Sequence, residues 1–279
     1  MQVSRPLSLV LLVLALCVPA YAQKWTTVYN HSGPLAHYAL TLEANPGING
    51  PYPTTPDMSD VSMKTVTAGG AMCTELIANT KPRNIYANVL AFYKLNGKTP
   101  DGKPIQLTTY RYQFAVRLEH VPVARQAPYN AQSVEMSLQF WDGSNTLWHA
   151  DKRQVEATIY WDLNPWSKSF GEIMVYTNAA NGGLKLYDTG IHLTPDTNWH
   201  TFALSADLAR RVWSGITIDQ RTNPLPNLPL LLRKHEDWGG GMAIALTAES
   251  MNCYPGPKAS YVNQCTTDFK DVKLSRVAP

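Results

Sequence analysis

Two glutamates set in strand-like runs, Glu156 and Glu172, are the side chains of this sequence best placed to do chemistry. They lie in RQVEATIYWDLNPWSKSFGEIMVYT, residues 153–177, where two runs of alternation flank a turn holding Asn164, Pro165 and Trp166. In the first run Val155, Ala157, Ile159 and Trp161 share one face, and Glu156, Thr158, Tyr160 and Asp162 share the other. In the second, Gly171, Ile173 and Val175 oppose Glu172, Met174 and Tyr176. A third glutamate ends MAIALTAE, residues 242–249, where Ala243, Ala245, Thr247 and Glu249 form a face of small side chains. Carboxylates beside aromatic rings on a sheet face are the parts of a sugar-handling groove. Rings stack on pyranose faces, while acids hydrogen-bond hydroxyls or take part in bond cleavage. Glu135 shares a face with Ser137, Gln139 and Trp141, so Glu135 with Glu156 competes with Glu172 and Glu249 as the functional pair. A single glutamate on such a face is more often merely solvated.

Positioning these groups requires many short strands. Alternation marks strands over 37–42, 85–93, 110–118, 134–141, 155–161, 172–176, 184–187, 199–204, 242–248 and 269–274. Asn96-Gly97, Asp101-Gly102, Asp142-Gly143 and Asn181-Gly182-Gly183 punctuate them as turns. One short helix is expected over 206–212 with Ser205 as its N-cap. Residues 45–70, rich in Pro, Gly, Ser and Thr, read as long surface loops with room for edge strands. Many strands and few helices argue for an all-β fold, a two-sheet antiparallel jelly-roll sandwich.

The first residues read as a secretory leader. Arg5 supplies the positive region, residues 7–18 the apolar stretch, and Ala20-Tyr21-Ala22 the cleavage site. The expected organisation is a signal peptide over 1–22 and a single β-sandwich domain over 23–279, secreted to the extracellular space or periplasm. No later stretch approaches the ~18 apolar residues of a membrane span. With 24 basic against 21 acidic side chains the formal net charge is +3, which gives no nucleic-acid footprint. Of the three cysteines beyond the leader, Cys253 and Cys265 are the natural disulfide pair, closing a loop that holds Tyr254-Pro255-Gly256-Pro257. Cys73 is then expected free and buried, with its pairing to either of the other two left open by the sequence. No Cys/His spacing suits zinc and no dense Asp/Asn loop suits calcium, so no cofactor or metal is expected.

The order of a strand Glu172-Ile173-Met174-Val175-Tyr176, a helical segment, and a strand ending in Glu249 is similar to glycoside hydrolase family 12. The resemblance covers about residues 153–275 and implies a retaining endo-β-glycanase, acting on β-glucan or xyloglucan, on a concanavalin A-like jelly roll. It implies Glu172 as nucleophile and Glu249 as acid/base, with Tyr176 and Ser250-Met251 standing where the family has Trp and Pro-Trp. Phe269 to Leu274 resembles the closing strand of concanavalin-like lectins and glucanases more widely. A retaining mechanism needs carboxyls ~5–5.5 Å apart, so Glu172 and Glu249 are expected on adjacent strands facing one groove. Trp141, Tyr160 and Trp166 are the expected sugar-stacking rings, with Gln139 and Asp142 as hydroxyl partners. Three functions fit this reading: a glycanase, a non-catalytic carbohydrate-binding lectin-like domain, and a secreted structural or adhesion sandwich. The expected partner is a polysaccharide or glycan, and the expected state a monomer.

Overall fold

The computed structural model describes residues 24–43, 61–80, 86–122, 130–142, 153–165, 167–234, 240–252 and 263–278, with Trp141, Asp142 and Glu249 placed by backbone alone. The described residues are all strand and turn, without a helix. The strands run β1 (Trp25–His31), β2 (Ala39–Glu43), β3 (Val61–Ala68), β4 (Ala71–Thr80), β5 (Tyr86–Leu95) and β6 (Thr109–Leu118). They continue with β7 (Asn130–Asp142), β8 (Arg153–Asp162), β9 (Glu172–Asn178), β10 (Leu184–His192) and β11 (His200–Asp207). The last are β12 (Val212–Ile218), β13 (Arg221–Pro224), β14 (Leu231–Lys234), β15 (Gly240–Asn252) and β16 (Asn263–Val277).

They form two antiparallel sheets, the sandwich that the alternation predicts. Sheet A has the order β13-β12-β11-β6-β16-β4-β3, with β1 also on β16. Sheet B has the order β10-β9-β8-β7-β15-β5-β2, with β14 also on β8. The period-two pattern decides which face turns inward. Sheet B buries Met136, Leu138 and Phe140 of β7, Ile159 and Trp161 of β8, and Ile244 and Leu246 of β15. Against them lie Phe114 of β6, Phe202 of β11 and Phe269 of β16, with Trp161 and Phe202 ring centroids 5.7 Å apart across the layers. Each such side chain contributes about 1.5–3 kcal/mol, so slipping a strand by one residue would expose a whole row. Buried indoles also need their N–H satisfied. Trp161 Nε1 donates to the Leu193 carbonyl at 3.1 Å, and Trp213 Nε1 of sheet A donates to the Tyr176 carbonyl of sheet B at 2.9 Å.

The helix expected over 206–212 is a correction. Residues 200–207 and 212–218 are the paired strands β11 and β12, and Arg211 takes a left-handed φ of 57° in the tight turn between them. Leu204, Ala206 and Leu208 are all buried, a two-residue period that a helix would break. The edge strand β3 accounts for 61–68 of the stretch read as loops. The leader expected over 1–22 lies outside the described residues.

Candidate functional site

The face of sheet B that points away from the core is polar, yet much of it is shielded from solvent. Ser133, Glu135 and Ser137 of β7, Gln154, Glu156, Thr158 and Asp162 of β8, and Thr247 of β15 are all buried. The register explains how they meet. Glu135 sits opposite Tyr160 and Thr247, Ser137 opposite Thr158 and Ala245, and Gln139 opposite Glu156 and Ala243. The small Ala243 and Ala245 on β15 leave the strand floor low beside these polar groups.

Hydrogen bonds link the groups into two sets. Tyr176 of β9 reaches over β8 and donates its phenol to Glu135 Oε1 at 2.7 Å, while its ring stacks on Tyr160 with centroids 6.3 Å apart. Glu156 Oε1 accepts the Thr158 hydroxyl at 2.6 Å, and Thr158 and Ser137 share a bond of 2.8 Å. Glu156 Oε2 pairs with Arg233 Nε of β14 at 3.0 Å. Arg233 is about half exposed, so it brings charge from the rim to a carboxylate that is itself buried.

One end of the face is closed by the turn between β8 and β9. Asp162 accepts the Asn164 amide at 2.8 Å and the Ser169 hydroxyl at 2.6 Å, which bends the chain back towards β9. Gly171 is required there. Its φ is +85°, and a Cβ would lie 2.7 Å from His192 Cε1 and 3.0 Å from the Leu193 carbonyl. Glu172 follows, its Oε1 3.4 Å from His192 Nδ1 and its side chain 29% exposed. Between Asp162 and β15 lies Ser133, whose hydroxyl is buried without a hydrogen-bond partner among the described residues.

The expected site residues divide accordingly. Glu135, Gln139, Glu156 and Tyr160 share one face of neighbouring strands, with Gln139 and Tyr160 still partly exposed. Trp141 occupies a β7 position opposite Gln154 and Gly241, next to Asp142, whose own partner is Gly240. Trp166 lies outside the described residues. The adjacency expected of Glu172 and Glu249 is corrected by the strand order: β8 and β7 separate β9 from β15. Three inter-strand steps put their backbones roughly 14 Å apart. Glu135 and Glu249 are closer, because Glu249 pairs with Ser133, two residues from Glu135 on the adjacent strand. Such diagonal positions are about 7–8 Å apart. Cys253 lies outside the described residues, so the expected bridge to Cys265 has one end there. Cys265 is buried, its Sγ 3.6 Å from the Ser133 carbonyl. Cys73 is a free, buried thiol, pushed up to about 11 by burial, with Asp268 adding to the effect.

Sequence reasoning missed Arg233 and undervalued Tyr176. Arg233 stands in the short run LLRK, which has no alternation long enough to mark a strand. Tyr176 was visible on the outward face with Glu172, but nothing local shows that its phenol crosses a neighbouring strand.

A second charged cluster lies elsewhere, at the junction of the sheets. His200 is buried between two aspartates, with Nδ1 2.9 Å from Asp219 Oδ2 and Nε2 2.9 Å from Asp196 Oδ1. Burial opposes its charged form, but the hydrogen bonds and charges of Asp219 and Asp196 outweigh that and hold it above the ordinary histidine range. The cluster ties the connection from β10 to β11, with Asp196 and His200, to the turn between β12 and β13, with Asp219.

No protein-family model matches the chain, and no curated protein matches it. Solved structures similar to it include the endo-β-1,4-glucuronan lyase of the fungus Trichoderma reesei, 9% identical, covering 90% of this chain and 96% of that one at a TM-score of 0.47. A glycosyl hydrolase family 16 protein of Mycobacterium smegmatis is 12% identical, covering 89% and 100% at 0.43. Basic winged bean lectin, solved with Tn-antigen, is 11% identical, covering 90% and 98% at 0.40. These are a lyase, a hydrolase and a lectin, and the function of none of them passes to this chain.

Proposed function

We propose that this protein binds a polysaccharide or glycan on the outer face of sheet B, outside the cytoplasm once the leader over 1–22 is removed. The observation that carries the reading is Glu135 bonded to the Tyr176 phenol beside the partly exposed ring of Tyr160. A carboxylate at the foot of stacked rings offers a sugar both an apolar platform and a hydrogen-bond acceptor. Gln139, two rows along β7, supplies an amide for further hydroxyls, and Trp141 holds the next outward position of that strand. A glycan panel tests it: the full chain retains oligosaccharides on an array or in calorimetry, and Tyr160→Ala weakens that binding about tenfold or more. Wild-type protein that retains no glycan, or Tyr160→Ala that binds unchanged, removes this face from the function.

A second reading, hydrolysis, is favoured by the diagonal register of Glu135 and Glu249 on adjacent strands. Two glutamates at such positions stand on adjacent strands, the arrangement a retaining pair with carboxyls ~5–5.5 Å apart calls for, whereas β7 and β8 separate Glu172 from Glu249. Reducing-sugar release from β-glucan, xyloglucan and xylan distinguishes the readings. Release abolished in Glu135→Gln but kept in Glu172→Gln supports this pair, and the reverse pattern excludes it.

A further inference from the structure

Resting on the glycan-binding reading, we propose that the outer face of sheet B prefers a glycan bearing protonated amino groups, an amino-sugar polymer, over neutral or uronate-bearing chains. The warrant is charge and donor balance. Glu135, Glu156, Asp162, Glu172 and Asp188 occupy outward positions of β7, β8, β9 and β10. Among the described residues Arg233 and Lys94 are the lysine and arginine positions on that side, and Arg233 is already engaged by Glu156. Among the described strand positions of this face, five carboxylates stand against these two cations and His192, which already meets Glu172, in a chain whose formal net charge is +3.

Donor count points the same way. An ammonium group only donates hydrogen bonds, whereas a uronate only accepts them. The exposed Asp188 and the partly exposed Glu172 present carboxylate oxygens, and among the described residues the Ser133 hydroxyl beside Asp162 is buried with no hydrogen-bond partner. That oxygen can accept from a ligand N–H without giving up a bond it already makes. A uronate laid on the same row would place negative charge beside Asp162 and Glu172, a juxtaposition that costs affinity.

The test is calorimetric titration of the full chain with β-1,4-linked glucosamine oligomers, their N-acetylated counterparts, a neutral β-glucan oligomer and an oligouronate, each at low and moderate salt. The glucosamine oligomer binds about ten- to hundredfold tighter than the N-acetylated one, the range expected of one added charged hydrogen bond, and loses that margin as salt rises. Glu172→Gln lowers affinity for the glucosamine oligomer by more than for the N-acetylated one. Tighter binding of the N-acetylated, neutral or uronate oligomer overturns the amino-sugar preference and leaves glycan binding standing. If none of the four binds, the glycan reading itself fails.

Discussion

Replacing His200 with Gln tests the clamp between the β10–β11 connection and the β12–β13 turn most directly, because its effect has a sign in pH. The imidazole is 2.9 Å from each of two carboxylates and is buried. The other groups around it are fixed: Asn198 bonds both oxygens of Asp196, the Thr201 amide holds Asp219, and Trp161 meets the ring edge-on at 6.1 Å. A sheltered hydrogen bond to a charged group contributes about 1.5–3 kcal/mol. Asp196 and Asp219 are 41% and 43% exposed, so solvent screens both pairs. The two together then contribute about 2 kcal/mol. Because folding raises the histidine above its unfolded value near 6.5, the folded state holds the proton more tightly. The stabilisation is fully present below that value and is lost as pH rises through the folded one. Asp196 shifts downward: burial acts against its ionised form, but the Asn198 amide and His200 outweigh it. Its contribution is therefore lost only on acidification below the ordinary aspartate range. Urea unfolding of wild type and His200→Gln at about pH 5.5 and about pH 9 reads the difference. The variant should lose about 2 kcal/mol at the lower pH and clearly less at the higher. A gap that is constant, or that widens with pH, would refute a clamped, protonated imidazole.

Three further perturbations follow from the geometry of sheet B. Tyr176→Phe removes the donor to buried Glu135 and should cost about 1–3 kcal/mol in thermal or urea unfolding, with little change in secondary structure by circular dichroism. Arg233→Met leaves Glu156 buried without its cation. The arginine is half exposed, so about 1–3 kcal/mol is expected instead of the larger loss of a fully buried pair, and a matched Glu156→Gln, Arg233→Met double variant should recover part of it in the same melt. Gly171→Ala forces a side chain into a left-handed backbone with the Leu193 carbonyl 3.0 Å away, and should lower stability by about 1–2 kcal/mol.

Alternation made the faces legible before any coordinates. The outward set Glu156, Thr158, Tyr160 and Asp162 is the set that lies on the polar side of β8, and Val155, Ala157, Ile159 and Trp161 are the buried ones. Period two is a local property, so one strand displays it unaided. Strand order is not local. That β7 and β8 come between β15 and β9 depends on the pairing of β7 with β15, whose partners lie about a hundred or more positions apart, and no periodicity encodes it. The expectation that Glu172 and Glu249 adjoin therefore failed on topology, although both strands were found. The helix over 206–212 failed differently. Ser205 and the alanine and leucine after it suit a helix start, yet Ala206 and Leu208 continue the buried row of Phe202 and Leu204, and packing overrode propensity. The short strands β13 and β14 carried no signal of their own, and with β14 went Arg233.

The position of β16 has a consequence for how the chain is made. It lies inside sheet A, between β6 and β4, and also carries β1. The central plank of that layer is thus one the ribosome delivers after the other described strands. Until residues 263–277 emerge, β4 and β6 each hold an unsatisfied edge, and Phe114 lacks Phe269 to pack against. Nascent chains stalled short of that point should stay protease-sensitive and dependent on holding chaperones, and acquire resistance in a single late step.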